Sequence, residues 1–249
     1  MYRLKKEIEY LKMNDWSLQD VAVFWDGVFE YEDINKETYS YFRRFTDGYH
    51  LSSIPDNSYV LDICCRTGNG VLFFWQKGKV KKAVCADVSA SMLNVCKERL
   101  IKENAVFETK VFSDYYLPFD DREFDAILCF ETVEHVSKPD IFIKELGRII
   151  KKNGEMILTT PNILWEPMHW FAAIFNLHHS EGPHKFIKKS RLNEYLKAAG
   201  FNIVKEDTTV LVPGGPKGLV KVGEFMEKKL KNNLMPLLGL RRIFICKKK

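Results

Sequence analysis

The run Val60-Leu61-Asp62-Ile63-Cys64-Cys65-Arg66-Thr67-Gly68-Asn69-Gly70 sets an acidic side chain at the end of an apolar segment, ahead of a tight turn of small residues. Such a turn lets backbone approach a ligand closely while the N-terminus of the next helix faces it. Asp87 ends the following apolar segment 19 residues past Gly68, the spacing at which a carboxylate accepts hydrogen bonds from both hydroxyls of a ribose. Asp87 alone would serve as well as a helix cap. Turn and carboxylate in register predict a nucleoside site.

A second group is Glu131-Thr132-Val133-Glu134-His135. In a helical turn Glu131, Glu134 and His135 stand at i, i+3 and i+4, so two carboxylates and an imidazole share a face. Two oxygens and a nitrogen suit a divalent ion, Mg or Zn, with water or a substrate hydroxyl completing the shell. Solvated charge or a helix cap explains the same residues without a metal. The third group is the aromatic and histidine-rich stretch with Trp165, His169, Trp170, Phe171, Phe175, His178 and His179, which reads either as an apolar lid over a site or as a helix packed on the core.

Short apolar runs that read as strands lie at 59–63, 83–86, 106–112, 124–130, 155–159, 201–204 and 243–246. Helical patterns alternate with them: one capped by Ser89 with Met92, Cys96 and Leu100 on one side, one over 140–150 ended by Asn153-Gly154, and one over 190–199 stopped by Gly200. This alternation predicts an α/β fold, a parallel sheet covered on both faces, with ligands at the carboxyl ends of the strands. Residues 1–50 are expected to form an N-terminal helical cap whose Trp25, Phe29, Tyr31, Tyr39 and Tyr41 either wall the site or serve as ordinary helix packing, and 51–249 the main domain, with 161–187 inserted as the lid.

At 249 residues and 46% hydrophobic content the chain can bury one sizeable core. Its formal charge of +5 is mild and gathers at the termini, in Lys5-Lys6, Arg241-Arg242 and Lys247-Lys248-Lys249. A solvated terminus accounts for that, and no basic-aromatic stripe argues for nucleic acid. The six cysteines lack zinc spacing and read as small core residues of a reducing compartment. The N-terminus MYRLKKEIEYLK is a charged amphipathic helix and not a signal peptide, and no apolar run reaches the roughly 20 residues that span a bilayer. A cytoplasmic protein is expected, with peripheral membrane contact and oligomeric state left open.

The run VLDICCRTGNG resembles motif I of the class I S-adenosylmethionine-dependent methyltransferases, and ADVSASML their second motif. LPFDDREFDAILCFETVEHV, ELGRIIKKNGEMILTTPN and HKFIKKSRLNEYLKAAGF resemble the segments that follow, in order, in the group that includes the ubiquinone-biosynthesis O-methyltransferases. The resemblance implies a Rossmann-like doubly wound seven-stranded sheet of order 3-2-1-4-5-7-6 with the last strand antiparallel. It implies S-adenosylmethionine as cofactor, Asp62 near its amino group, Asp87 on its ribose, Ser113 or Asp114 at the adenine, Val88 and Met92 as apolar packing, and Phe130 alongside. The family's Gly-x-Gly-x-Gly falls on Cys64, Arg66 and Gly68. Arginine is bulky for a positive φ; its side chain is expected either in solvent or on the cofactor carboxylate, and a weakened cofactor site is the other reading. Glu131, Glu134 and His135 resemble the Glu-x-x-Glu-His metal site of some O-methyltransferases, which makes His184, with His179 in reserve, the matching later ligand.

The leading function is methyl transfer to a small-molecule, lipid or sugar-precursor acceptor, with oxygen as the acceptor atom and C- or N-methylation close behind. His135 or His184 would take a hydroxyl proton, with Glu134 beside them, or a metal would lower that hydroxyl's pKa. Two further classes stay open: an RNA 2′-O-methyltransferase, suggested by the metal-like pattern and the basic tail, and a methyltransferase-like binding protein weakened at Arg66.

Overall fold

A computed structural model describes residues 2–28, 39–175, 180–231 and 233–249. The strands β1 (Ser58–Ile63), β2 (Val80–Asp87), β3 (Phe107–Val111), β4 (Phe124–Phe130), β5 (Ile150–Pro161), β6 (Phe201–Thr209) and β7 (Arg241–Lys248) form one sheet in the order 3-2-1-4-5-7-6. The first five run parallel, and β7 is antiparallel to both β5 and β6. Central strands covered on both faces must be apolar throughout, and Leu61, Ile63, Ile127, Leu128 and Ile157 are fully buried.

The helices α4 (Asn69–Gln76), α5 (Ala90–Lys102), α6 (Pro139–Ile149) and α8 (Lys189–Ala198) cover the sheet. Ser89 caps α5 as expected, its hydroxyl accepting from Met92 N. Before β1 come α1 (Tyr2–Lys12), α2 (Leu18–Asp26) and α3 (Tyr39–Leu51); α7 (Glu166–Ile174) follows β5, and α9 (Lys217–Leu230) and α10 (Met235–Leu238) join β6 to β7. Trp16, Leu18, Val21, Trp25 and Phe45 of the N-terminal segment belong to the same buried cluster as the strands. Phe29 and Tyr31 lie outside the described residues.

Two expectations are corrected. Helix α6 ends at Ile149, not at Asn153-Gly154, because Ile150 already pairs with Phe124 across the sheet. Asn153, at φ 62, and Gly154 lie inside β5, where a side chain on Gly154 would press within 2.9 Å of the Asp125 carbonyl. The C-terminal charges are also less free than a solvated tail: Arg241 and Arg242 are buried in β7, Lys247 pairs with Glu155, and Lys248 Nζ donates to the Ala199 carbonyl.

Candidate active site

The turn after β1 adopts the left-handed conformation three times, at Cys64 (φ 53), Arg66 (φ 50) and Gly68 (φ 78). This zigzag brings backbone to the carboxyl ends of β1 and β2, where both carboxylates are buried. Asp62 Oδ2 accepts from Val71 N at 2.9 Å, fastening the start of α4 to β1. Asp87 accepts from Arg66 N at 2.7 Å and Ser89 N at 2.9 Å. Burial pushes Asp62 well above the usual carboxylate range and Asp87 up to about 6. Gly70 is packed closely, since a Cβ there would sit 3.1 Å from Asp62 Oδ2 and 3.2 Å from the Phe130 ring.

Arg66 stands in the middle of that cradle. Two cavities of about 20 Å³ flank it. One is lined by Tyr41, Arg44, Asp62, Cys64, Gly70 and Phe130, the other by Trp25, Cys64, Asp87, Val88, Glu131 and His135, and Arg66 borders both. Its guanidinium lies 4.5 Å over the Trp25 ring and donates to the Glu131 carbonyl at 3.1 Å, with His135 Nε2 3.5 Å away. It therefore points neither into solvent nor along the surface. Helix α2, which carries Trp25, is latched over the site. Asp26 accepts from the hydroxyls of Ser89 and Ser91, and Trp16 Nε1 donates to the His135 carbonyl at 2.7 Å. Drug-sized ligand pockets occupy roughly 300–1,000 Å³, so each of these two cavities, with Arg66 and α2 as placed, is smaller than a nucleoside needs.

The structure does not support the metal reading. Glu131 has φ 49 and lies outside the single 3₁₀ turn Val133–His135, so Glu131, Glu134 and His135 do not share a helical face. Glu131 instead pairs with Arg241 at 3.0 Å; burial alone would raise its pKa, but Arg241 and Arg44 hold it below the usual range. Glu134 accepts from Thr160 Oγ1 at 3.0 Å, and burial together with Glu131 pushes its carboxyl well up. His184 does not complete a set with them. Among the described residues, the only cluster of three or more metal-ligating side chains is elsewhere, on cysteines. His178 and His179 lie outside the described residues.

Of the two histidines expected as bases, burial and then the charge of Arg66 push His135 down to about 3, so its lone pair is a weak proton acceptor. His184 is differently placed. Its Nδ1 faces the Gly182 carbonyl at 2.8 Å, which makes Nδ1–H the donor and leaves the lone pair on Nε2. Nε2 is buried and has no hydrogen-bond partner among the described residues. Trp170 of α7 stacks on the ring at 4.5 Å and 11°, and His169 lies edge-on at 4.7 Å. The His135 and His184 rings are 5.9 Å apart, which puts His184 one ring beyond the cavity bordered by Asp87. Lys185 N bonds the Glu134 carbonyl and Phe186 N bonds Glu166 Oε1, holding this segment against the end of β4. A cleft of about 440 Å³, lined by Trp16, Val136, Ile163, Lys185, Phe186 and Arg191, shares Val136 with that cavity.

Helix α7 turns Trp170 inward but leaves Met168 and Phe171, and Phe175 just beyond its end, more than half exposed, so it is only partly a core helix. Met92 and Val88 are buried as apolar packing, whereas Ser113 and Asp114 stand exposed beyond β3 and border neither small cavity. Four features escaped the sequence: the Arg66–Trp25 stack, the Asp26 latch, the Arg241–Glu131 pair and the Trp170–His184 stack. Each joins residues far apart in the chain and leaves no local signal.

A methyltransferase domain model matches residues 37–206. The chain belongs to the methyltransferase domain family. It is 29% identical over 127 residues to a ubiquinone/menaquinone biosynthesis C-methyltransferase of Chromobacterium violaceum, covering 50% of this chain and 52% of that protein. To a ubiquinone biosynthesis O-methyltransferase of Bartonella tribocorum it is 27% identical over 165 residues, covering 63% and 65%. The chain thus spans about half to two-thirds of the length of these relatives. The solved structure of a SAM-dependent methyltransferase from Aquifex aeolicus superposes with a TM-score of 0.61 at 16% identity, covering 89% of this chain and 100% of that one. In this methyltransferase domain the sheet order is the class I arrangement, and the Asp62–Asp87 cradle lies at the carboxyl ends of β1 and β2.

Proposed function

We propose that this methyltransferase domain transfers a methyl group from S-adenosylmethionine to a hydroxyl oxygen of a small-molecule acceptor, with His184 as the base. The donor chemistry of the cradle fits the cofactor: Asp62 for the amino group, Asp87 for the ribose hydroxyls, the Gly68–Gly70 turn for close approach, Val88 and Met92 as apolar packing. When bound, S-adenosylmethionine supplies an electrophilic methyl carbon, so the chain has to deprotonate, align and keep water out. Nε2 of His184 receives the acceptor's proton, while the Trp170 stack and the Gly182 carbonyl fix the ring's direction. The resulting imidazolium keeps both nitrogens as donors.

The observation that carries this reading is the buried Nε2, without a partner among the described residues, one ring away from the cradle. A polar atom buried without a partner costs about 1–3 kcal/mol, which a bound acceptor hydroxyl would relieve. Similarity to quinone-biosynthesis enzymes supports a hydroxylated aromatic acceptor, and the Val136 cleft, with aromatic walls and a basic rim, supports the same class. The RNA reading has less to motivate it, since Glu131 and Glu134 pair elsewhere and Arg241, Lys247 and Lys248 have partners within the fold.

The test is S-adenosylhomocysteine release with a panel of hydroxylated aromatic acids, in the native chain and in His184→Gln. A base supplies about 10²–10⁴-fold, so the variant should lose at least a hundredfold in kcat with donor affinity unchanged. Full turnover in His184→Gln removes the base. Donor binding without transfer to any acceptor supports the second reading, a binding protein, which the Arg66 plug favours.

A further inference from the structure

The crossovers of the sheet bring together three cysteines whose sequence spacing showed nothing: Cys65 from the turn after β1, Cys85 from β2 and Cys96 from α5. Their sulfurs all lie within 4.8 Å of one another, and all three residues are buried. Cys96 faces the cofactor turn directly, since a Cβ on Gly68 would come within 2.5 Å of its Sγ. Cys65 is the most exposed of the three and borders the cavity shared by Asp62 and Gly70, which gives an entry path from the cradle.

We infer that Cys65, Cys85 and Cys96 form a binding site for one thiophilic d¹⁰ cation, Zn²⁺ or Cu⁺, beneath the cofactor turn. Three sulfurs bound at about 2.3 Å stand roughly 4 Å apart, so the cluster must contract by less than an ångström. Soft thiolates select such ions over Mg²⁺ or Ca²⁺. A thiolate is the form that binds metal. Three protein ligands leave either trigonal coordination, which suits Cu⁺, or a fourth position on the Cys65 side for water on Zn²⁺. The bound ion would tie β1, β2 and α5 together under the cradle.

The site is independent of methyl transfer, and its test needs no acceptor. The full-length reduced chain is loaded with Zn²⁺ or, without oxygen, with Cu⁺, then desalted and its metal content measured. The expected result is about one ion per chain, with Co²⁺ giving a thiolate charge-transfer band in the near ultraviolet. The ion retained distinguishes the two coordination numbers. At a hundredfold excess over Kd, loading should raise the melting temperature by about 5 °C or more. Cys65→Ser and Cys96→Ser should each abolish retention, while Cys129→Ala, equally buried but outside the cluster, should keep it. Since Cys96 is deep, Cys65→Ser at the rim serves as the variant most certain to fold. Retention below about a tenth of an ion per chain, or equal retention in the Cys65 and Cys96 variants, overturns the assignment.

Discussion

Replacing Arg66 by glycine tests whether this side chain excludes the cofactor or holds it. In the closed arrangement Arg66 makes a cation–π contact 4.5 Å over Trp25, worth about 1 kcal/mol when half-desolvated. It also makes a charged hydrogen bond to the Glu131 carbonyl at 3.1 Å, worth about 1.5 kcal/mol. Solvent replaces part of both, which leaves roughly 2 kcal/mol of closed-state stabilisation. Glycine suits φ 50 at least as well, and the backbone N–H that Asp87 accepts is retained. The strain relieved, about 1 kcal/mol, belongs to open and closed forms alike. If the closed form must open before the nucleoside enters, about 2 kcal/mol less closure raises apparent affinity roughly 30-fold. Isothermal titration with S-adenosylhomocysteine should therefore show Arg66→Gly binding more tightly than the native chain. Equal or weaker binding refutes the plug; a tenfold loss would mean that the guanidinium grips the ligand's carboxylate instead.

Breaking the latch by Asp26→Ala should act in the same direction and more weakly, read by the same titration, because it frees α2 from Ser89 and Ser91 without emptying the cradle. Glu131→Gln strands the buried Arg241 guanidinium and should cost about 3 kcal/mol, a fall of about 6–12 °C in melting temperature; an unchanged midpoint would show that the pair is not buried as described. Added Mg²⁺ or Mn²⁺ should leave turnover unaltered, since Glu131 and Glu134 are committed to Arg241 and Thr160; strict dependence on either ion would restore the metal reading. Asp87 carries a pH dependence of definite sign. Its pKa of about 6 in the fold lies above its ordinary 3.8, so its contribution to stability is fully present below about 3.8 and lost as pH rises through 6, by about 3 kcal/mol. Asp87→Asn should then raise the melting temperature at pH 7.5 and not at pH 4, while weakening nucleoside binding at neutral pH. In the native chain that binding should fall as pH drops below about 6, where the carboxylate gains a proton.

What could be read from the sequence and what could not divide along one physical line. β4 was legible to the residue because every residue of Phe124–Phe130 except Asp125 is apolar, whereas β6 and β7 were read short. Their outer residues, such as Lys205, Arg241 and Lys248, are polar, and it is the ladders of β7 with β5 and β6 that make them extended. Asp62, Asp87 and the turn were legible because they lie within one strand-turn-helix unit each and their geometry is set by neighbours in sequence. Reading Glu131 with Glu134 and His135 failed for the opposite reason. That reading assumed a local helical turn, while Arg241, 110 residues away, holds the Glu131 carboxylate and leaves its backbone at φ 49. Arg66 shows the same limit: the steric demand of its position was visible, but the direction of its side chain is decided by Trp25 on a helix 40 residues earlier. The cradle is therefore a local property of the chain, and access to it is a long-range one. Substitutions in α2 should change how tightly the nucleoside binds while leaving which nucleoside binds to Asp62 and Asp87.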